Sequence, residues 1–313
     1  MRKWNKFFHR TLICGEKGKR IDRIGGMGEW TMDNEILYSV IVVCLNAGER
    51  LIETVESVLA QDYGNFEIVV KDGGSTDESL ERLRCWGADK NNFEKVHIFC
   101  EKDTGIYDAM NQAVVLAKGM YFVFLNAGDS FYNTRVLRKI TDGILKEKER
   151  NGQNPDIVYG DLYHKALGTA IRSAPEMNDF TCYRNVPCHQ VCFYHQSMFR
   201  ERGYNPKYTV RADYEHFLWC YYVKKAVICY LPMLVASYEG GGYSETKENQ
   251  KCSAKQHREI VLQYMGRKKA DKYRLIMLLS LAPLRSALAD SKYFSGFYNK
   301  VKTAIYQLRK KDT

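Results

Sequence analysis

The stretch EKDTGIYDAMNQAVVLAKGMYFVFLNAGD, residues 101–129, decides the fold of this chain of 313 residues. Apolar residues at helical spacing predict a helix over residues 106–117, and Gly119 is expected to stop it. The apolar run 120–125 then predicts a buried strand, which ends abruptly at the polar turn 126–129. Because ligands bind at the carboxyl ends of the strands in open α/β sheets, this turn is expected to border a binding site.

Two further strands are predicted before this stretch, and polar residues follow each of them. The β-branched run 38–45 is typical of a strand that is buried on both faces, and residues 66–70 predict a second one. The second strand leads into KDGGSTD, residues 71–77, whose glycines let a ligand approach the backbone. Ser75 and Glu78 have the spacing of a capping box, so the next helix is expected to begin directly after Ser75.

The alternation of strands and helices continues to about residue 161. Residues 96–100 and 156–159 predict strands, the latter ending at Gly160, and residues 134–149 predict a polar helix. This order indicates an α/β fold with a doubly wound, Rossmann-like, mostly parallel sheet and helices on both faces. The dinucleotide-binding GxGxxG pattern and the Walker lysine are missing after the first strand, which argues against dinucleotide-dependent oxidoreductases and P-loop proteins.

The net charge of +10 is carried by the two ends of the chain. Residues 1–37 hold 8 Lys and Arg against 5 Asp and Glu, residues 251–313 hold 15 against 4, and the remainder is therefore −4. A weakly acidic middle argues against nucleic-acid binding, and the basic C-terminal part predicts an anionic partner. We therefore expect a basic N-terminal extension (1–37), a central domain (38–250) and a basic helical C-terminal extension (251–313). No apolar run reaches the roughly 20 residues of a membrane-spanning helix.

The ten cysteines indicate reduced thiols in a cytosolic protein, because neither a signal peptide nor a compact repeated spacing is present. Five possible metal ligands lie within fourteen positions: Cys182, Cys188, His189, Cys192 and His195. Their spacing contains no CxxC pair and fits no structural zinc pattern well. Small apolar cysteines in a core are the favoured interpretation, with a zinc site as the alternative.

Several phrases resemble family 2 glycosyltransferases, in the branch related to colanic acid and other exopolysaccharide or O-antigen transferases. They are SVLAQDY (57–63), FEIVVKDGGSTDES (66–79), GIYDAMN (105–111), FLNAGD (124–129), PCHQ (187–190), RADYE (211–215) and GGGYS (240–244). The resemblance covers residues 39–244 and implies the GT-A fold. It divides the central domain into a nucleotide-binding half (38–161) and an acceptor half (162–250).

The resemblance also implies a nucleotide-diphosphate sugar as donor, a UDP-sugar being the favoured one. The residues that it assigns to the nucleotide sugar are Asn46, Asp72, Asp103, Asn111 and Asn126. Asp72 matches the family aspartate that accepts a hydrogen bond from the pyrimidine ring, with a role as turn former as the alternative. For Asp103, capping of the next helix is an almost equally good alternative.

Asp129 matches the family carboxylate that binds Mn²⁺ or Mg²⁺, and hard oxygen ligands suit those cations. The cation would act as a Lewis acid on the leaving diphosphate. The chain departs from the family's commoner Asp-x-Asp-Asp pattern, since Asn126, Ala127, Gly128 and Asp129 stand there. A single carboxylate should bind the metal more weakly. A second departure is Met110, where many relatives have an arginine that would contact phosphate.

Asp213 matches the family's general base, and it begins an apolar-backed helix in the acceptor half. Glu215 is a competitor that should point away along that helix, and capping of the helix is a further alternative for Asp213. His189 and Gln190 are assigned to acceptor or diphosphate contact, with structural hydrogen bonding as the alternative.

These expectations describe an inverting glycosyltransferase that moves a sugar to a polyprenyl-linked saccharide in bacterial exopolysaccharide, capsule or O-antigen synthesis. One alternative is a non-catalytic scaffold that binds sugar nucleotides. A nucleotidyltransferase would need a Gly-rich loop with a basic residue after the first strand, and residues 46–49 do not provide it. Apolar and basic residues between 294 and 308 predict an amphipathic helix on the anionic inner face of the plasma membrane, with packing on the catalytic body as the alternative.

Overall fold

The computed structural model describes residues 37–242 and 246–279. The strands are β1 (Tyr38–Cys44), β2 (Phe66–Asp72), β3 (Val96–Cys100), β4 (Tyr121–Phe124), β5 (Ser130–Phe131), β6 (Ile157–His164), β7 (Thr169–Ile171), β8 (Cys192–His195) and β9 (Ile228–Tyr238). The helices are α1 (Glu49–Leu59), α2 (Ser79–Gly87), α3 (Ile106–Leu116), α4 (Val136–Asn151), α5 (Asp179–Arg184), α6 (Gln196–Glu201), α7 (Ala212–Trp219) and α8 (Lys247–Leu279).

The strands form one sheet in the order β3-β2-β1-β4-β8-β6-β9-β5, with β7 added to β6. The four strands from β3 to β4 are parallel, as the buried apolar runs predicted. Beyond them β8 runs antiparallel to both β4 and β6, and β5 runs antiparallel to β9, while β6 and β9 are parallel. The α/β class is therefore confirmed, but the sheet is mixed rather than mostly parallel.

The core of the parallel half is formed by β1 and β2, in which every residue is buried. Helix α3 packs on both of these strands, and α1 packs on β1 and β5. Gly119 lies against the start of β1, where an added Cβ would be 2.5 Å from the backbone nitrogen of Ser39. Since α3 already ends at Leu116, Gly119 is required for this close approach rather than for stopping the helix.

Three local predictions are corrected by the structure. Strand β1 ends at Cys44, and the side chain of Leu45 is 60% exposed. The capping box is absent: α2 begins at Ser79, and the Ser75 hydroxyl donates to Asp72 instead. Strand β6 continues through Gly160 to His164, because the register shifts on either side of Asp161 keep it paired with β9.

The C-terminal extension begins as a helix that is packed on the central domain. Helix α8 contacts α5 and α7, and the Gln256 side-chain oxygen accepts hydrogen bonds from the backbone nitrogens of Val210 and Arg211. The predicted boundary at residue 250 falls inside α8. The proposed N-terminal extension up to residue 36 and the amphipathic segment 294–308 lie outside the described residues. Among the described helices, none combines the length and apolarity needed to cross a membrane.

Candidate active site

The turn after β4 places a carboxylate in the interior of the molecule. Gly128 has φ 104°, a conformation that favours glycine, and it allows the chain to turn sharply before Asp129. Thr54 of α1 holds this turn: its hydroxyl donates to the Asp129 carbonyl at 2.7 Å and accepts from the Gly128 backbone nitrogen at 2.9 Å. Thr54 had not been predicted from the sequence. A polar residue on the otherwise apolar face of α1 was the available signal.

Asp129 is 4% exposed, and burial raises the pKa of its carboxyl group from 3.8 to about 6. Gln190 Nε2 donates to Asp129 Oδ2 at 3.2 Å, and the backbone nitrogen of Asn126 donates to the same oxygen at 3.3 Å. These contacts and the electrostatic effect of His189 oppose the rise in pKa without cancelling it. The buried carboxylate would therefore be stabilised further by a cation.

His189 links two of the predicted residues. Its Nδ1 lies 3.2 Å from Asp213 Oδ2, and its Nε2 lies 3.2 Å from Asn126 Nδ2. Because an ionised Asp213 can only accept, Nδ1 carries a proton, and in the neutral ring Nε2 accepts from the Asn126 amide. This arrangement leaves Asn126 Oδ1 buried without a hydrogen-bond partner.

Asp213 is the second residue of α7, and its carboxylate is held from three directions. Tyr107 Oη donates to Oδ1 at 2.9 Å, the backbone nitrogen of Tyr214 donates to Oδ1 at 2.8 Å, and His189 donates to Oδ2. Burial alone would raise the pKa of Asp213, but hydrogen bonding and the electrostatic effect of His189 outweigh it, so the pKa lies below its usual value. The side chain remains 24% exposed. Asp213 is thus ionised at neutral pH and within reach of a ligand.

The contacts of Asp213 and Glu215 do not support the two alternatives, which were capping of α7 by Asp213 and Glu215 as the general base. The residue before α7 is Arg211, which makes no side-chain cap, and Asp213 lies inside the helix. Glu215 is fully buried on a different side of α7, where it pairs with Arg202 and accepts from the Tyr264 hydroxyl. The prediction that Glu215 points away from Asp213 therefore agrees with the geometry.

Five predicted residues thus meet in one hydrogen-bonded cluster, which we call the histidine–carboxylate network: Asn126, Asp129, His189, Gln190 and Asp213. Tyr107 of α3 lies beside this network and donates to Asp213, although it had not been predicted from the sequence. The phrase GIYDAMN contained this residue, but nothing in its spacing indicated a partner 106 positions later.

Asp72 lies apart from the network, at the end of β2. It is fully buried, and its carboxylate accepts from the backbone nitrogens of Gly74 and Ser75 at 2.9 Å and from the Cys100 thiol at 3.2 Å. Burial would raise the pKa of Asp72, but these hydrogen bonds and that of the Ser75 hydroxyl lower it. The contacts are those of a turn former.

Asn46 and Asp103 flank the same turn. The Asn46 side-chain oxygen accepts from the backbone nitrogen of Thr76 at 2.8 Å, so it joins the loop after β1 to the loop after β2. Asp103 accepts from the backbone nitrogen of Gly105 at 3.1 Å and lies 3.4 Å from the buried amine of Lys71. Both side chains order loops at the carboxyl edge of the parallel strands.

Asn111 belongs to neither group. Its Nδ2 donates to the Tyr204 carbonyl at 2.9 Å, and its Oδ1 accepts from the Tyr204 backbone nitrogen at 2.7 Å. Both ends of the amide are therefore used to fix the segment before α7 against α3.

The described residues contain no group of three or more His, Cys, Asp or Glu side chains that could hold a metal ion. The cysteines considered for zinc are free thiols: Cys182, Cys188 and Cys192. Within the network, the charge of the buried Asp129 carboxylate is disfavoured, and Asn126 Oδ1 lacks a hydrogen-bond partner. Both groups offer oxygen ligands of the kind that a hard divalent cation prefers.

Residues 39–208 match the family described as glycosyl transferase family 2. The PGL/p-HBAD biosynthesis glycosyltransferase of Mycobacterium bovis (strain BCG) is 35% identical over 212 residues, which are 67% of this chain and 80% of the relative. The UDP-Glc:alpha-D-GlcNAc-diphosphoundecaprenol beta-1,3-glucosyltransferase WfaP of Escherichia coli is 33% identical over 107 residues, which are 33% of this chain and 40% of that protein.

Solved structures share the fold at low sequence identity. S. aureus TarS 1-349 in complex with UDP-GlcNAc superposes with a TM-score of 0.54 and 18% identity, over 81% of this chain and 80% of that chain. The mannosyltransferase PcManGT from Pyrobaculum calidifontis, in complex with GDP-Man and Mn²⁺, superposes with a TM-score of 0.51 and 14% identity, over 85% and 84% of the two chains. The match to a longer TarS chain covers 42% of that chain.

The family match spans more than half of the chain, and most of the mycobacterial relative is covered. The mixed sheet agrees with the solved neighbours, and three of the phrases that carried the resemblance contribute the network described above: FLNAGD, PCHQ and RADYE. This chain therefore belongs to glycosyl transferase family 2 and is a glycosyltransferase with the GT-A fold.

Proposed function

We propose that this glycosyltransferase inverts the anomeric centre of a sugar that it takes from a nucleotide-diphosphate donor, with Asp213 as the general base. The observation that carries the proposal is the environment of Asp213: its carboxylate is ionised, oriented by Tyr107 and His189, and partly open to solvent. A base of this kind can accept the proton of an acceptor hydroxyl as the hydroxyl oxygen bonds to the anomeric carbon and the nucleoside diphosphate leaves.

His189 acts on Asp213 in this proposal as a positioning residue. Its ring is held between Asn126 and Asp213, so one nitrogen donates to the base while the other is fixed by the turn after β4. This contact couples the acceptor side of the site to the turn that holds Asp129. Gln190 extends the coupling through its hydrogen bond to Asp129.

A divalent cation, Mn²⁺ or Mg²⁺, would be held by Asp129 and by Asn126 Oδ1. When bound, it would neutralise charge on the leaving diphosphate. The mannosyltransferase from Pyrobaculum calidifontis was solved with Mn²⁺, which agrees with this proposal at the level of the fold. Asp129 would hold the cation through a carboxylate whose charge is disfavoured by burial when no cation is bound.

The nucleotide would lie along the carboxyl edge of β1 to β3, beside Asn46, Asp72 and Asp103. Asp72 is buried and accepts hydrogen bonds from its own turn. We therefore propose that Asp72 shapes the surface that faces the nucleobase of the donor and does not contact the nucleobase directly. Asn46 and Asp103 border that surface at two sides of the turn. Asn111 supports the acceptor side through Tyr204.

For the donor and acceptor we propose a UDP-sugar and a polyprenyl-linked saccharide of a bacterial surface polysaccharide. The Escherichia coli relative is named for a UDP-glucose donor and a diphosphoundecaprenol-linked acceptor, and the TarS structure holds UDP-GlcNAc. Such an acceptor places the enzyme at the inner face of the plasma membrane. The nine described cysteines are all free thiols, which agrees with a reducing compartment.

The proposal is tested by transfer assays with purified protein, metal and a panel of UDP- and GDP-sugars. Asp213→Asn keeps the shape of the side chain but removes the base, so the transfer rate should fall by roughly 10² to 10⁴ while donor affinity is retained. Glu215→Gln is the companion variant, two residues away on α7, and its rate per folded molecule should stay within about tenfold of the unmodified enzyme.

The rival function, a non-catalytic scaffold that binds sugar nucleotides, makes a different prediction. It requires donor binding without transfer or donor hydrolysis under any metal condition. Sugar transfer by the Asp213→Asn variant at nearly the original rate would show that the protein is an enzyme but that Asp213 is not its general base.

A further inference from the structure

A second cleft lies away from the histidine–carboxylate network, where α8 is interrupted. Gly266 has φ 71° and ψ 165°, which breaks the helix into limbs 247–265 and 267–279. The two limbs and Tyr183 of α5 border a cleft of about 330 Å³. This volume falls within the range of small-ligand sites, about 300–1,000 Å³. We call it the α8 cleft.

Three arginines line the α8 cleft: Arg258, Arg267 and Arg274. None of them takes part in an ion pair within residues 37–242 and 246–279, although Lys269 of the same helix pairs with Asp179 at 2.6 Å. Asp271 is the one carboxylate among the described lining residues. The cleft therefore has an excess of two positive charges that protein carboxylates do not compensate.

The other lining groups add no further charge at neutral pH. His257 donates to the Tyr183 carbonyl over 2.8 Å, and burial lowers its pKa, so its ring is neutral. The floor contains Val261, which is 2% exposed, and Ala270, which is 8% exposed. Guanidinium groups beside an apolar surface are suited to bind a compact anion whose oxygens can accept several hydrogen bonds at once.

We propose that the α8 cleft binds a phosphate group. Guanidinium groups recognise phosphate through paired hydrogen bonds, and the charge of a phosphate would offset the two positive charges that Asp271 leaves uncompensated. The phosphate can belong to a soluble phosphate ester or to a lipid headgroup. The lipid source has one further argument, because the turn after Arg274 exposes Leu275 (56%), Leu278 (55%) and Leu279 (73%).

The α8 cleft is joined to the acceptor side of the active site through the first limb of α8. Ser253 accepts from Arg211 Nε at 2.7 Å, and Gln256 accepts from the backbone nitrogen of Arg211 at 3.0 Å. Arg211 directly precedes α7, which carries Asp213. The proposed ligand does not contact the histidine–carboxylate network, so phosphate binding can be measured whether or not the proposed function is correct.

The experiment compares two triple variants of the full chain. Arg258→Gln, Arg267→Gln and Arg274→Gln together remove the charges of the cleft. Lys251→Gln, Lys255→Gln and Lys268→Gln together remove the same number of charges from exposed positions of the same helix that do not line the cleft. Binding of inorganic phosphate is measured by calorimetry, and binding to phosphatidylcholine vesicles with and without phosphatidic acid is measured by sedimentation.

The cleft variant should bind phosphate about tenfold or more weakly than the unmodified chain, because it loses charge-assisted hydrogen bonds, whereas the lysine variant should stay within about threefold. A third variant, Asp271→Asn, removes the opposing charge and should bind phosphate about threefold more tightly. A gain of affinity cannot come from misfolding, so this variant keeps the proposal testable if the arginine variant is unstable.

The two sources of phosphate are separated by the vesicles. Binding that requires phosphatidic acid and is lost in the cleft variant identifies a lipid headgroup, while binding of inorganic phosphate together with vesicle binding that the cleft variant retains identifies a soluble ester. The proposal is overturned if the unmodified chain binds neither probe, or if the two triple variants lose affinity equally.

Discussion

Replacing Asp129 by asparagine should stabilise the metal-free protein at neutral pH, although it removes a proposed metal ligand. Burial raises the pKa of Asp129 from 3.8 to about 6, so at neutral pH the fold retains a carboxylate whose charge it disfavours. A shift of about two units corresponds to about 3 kcal/mol. Asparagine keeps a carbonyl oxygen that can accept from Gln190 and from the Asn126 backbone nitrogen, so most of that amount should be recovered.

The pH dependence of this gain follows from the direction of the shift. Between about pH 4 and pH 6 the native state binds more protons at Asp129 than the unfolded state does, so the stability of the unmodified protein falls as pH rises through this window. The amide of the Asp129→Asn variant does not titrate. The difference in free energy of unfolding should therefore be largest above about pH 6 and should vanish below about pH 4.

The measurement is urea and thermal unfolding of both proteins in metal-free buffer at about pH 7.5 and about pH 4. At the higher pH the variant's melting temperature should be raised by roughly 6 to 12 °C. Asp161→Asn is the control, since Asp161 is similarly buried but accepts shorter hydrogen bonds, from the Ser173 backbone nitrogen at 2.9 Å and the Tyr230 hydroxyl at 3.0 Å, and its replacement should bring no gain. Adding Mn²⁺ should raise the melting temperature of the unmodified protein but not of Asp129→Asn. Equal stability of the two proteins at neutral pH, or a gain that persists at low pH, would refute the reasoning.

Three other outcomes are expected. Tyr107→Phe removes a hydrogen bond that favours ionised Asp213, so the acid limb of the rate profile should move up by roughly one pH unit; an unchanged profile would contradict a role for Tyr107 at the base. Asn111→Ala removes both hydrogen bonds to Tyr204, so it should lower the free energy of unfolding measured in urea by about 2 kcal/mol without changing the KM for the donor. A raised KM would indicate that Asn111 contacts the donor. Deleting the residues after about 290 should weaken the salt-sensitive binding of the protein to anionic vesicles and leave phosphate binding in the α8 cleft intact, whereas undiminished vesicle binding by the shortened chain would argue against the tail as membrane anchor.

Most of the first half of the fold was predictable from the sequence because β1, β2 and β4 are buried on both faces. Each of these strands contains a run of mostly apolar residues, which can be recognised without knowledge of its neighbours. The second half was not predictable in this way. Strand β9 is largely half-exposed and β7 is exposed, and the pairing of β6 with β8 and β9 joins segments that are distant in the chain.

The sequence by itself indicated where Asp72 and Asp129 would lie, since hydrophobic patterning fixes the strand ends and parallel strands bring those ends to one edge. Only the tertiary structure decided what each side chain does there. Asp72 and Asp129 both follow buried strands, yet the first is bonded within its own turn, while the second contacts Gln190, 61 positions later. His189 likewise joins Asn126, 63 positions before it, to Asp213, 24 positions after it. The physical reason is that burial follows from local composition, whereas a hydrogen bond goes to whichever donor or acceptor the packed chain brings within about 3 Å.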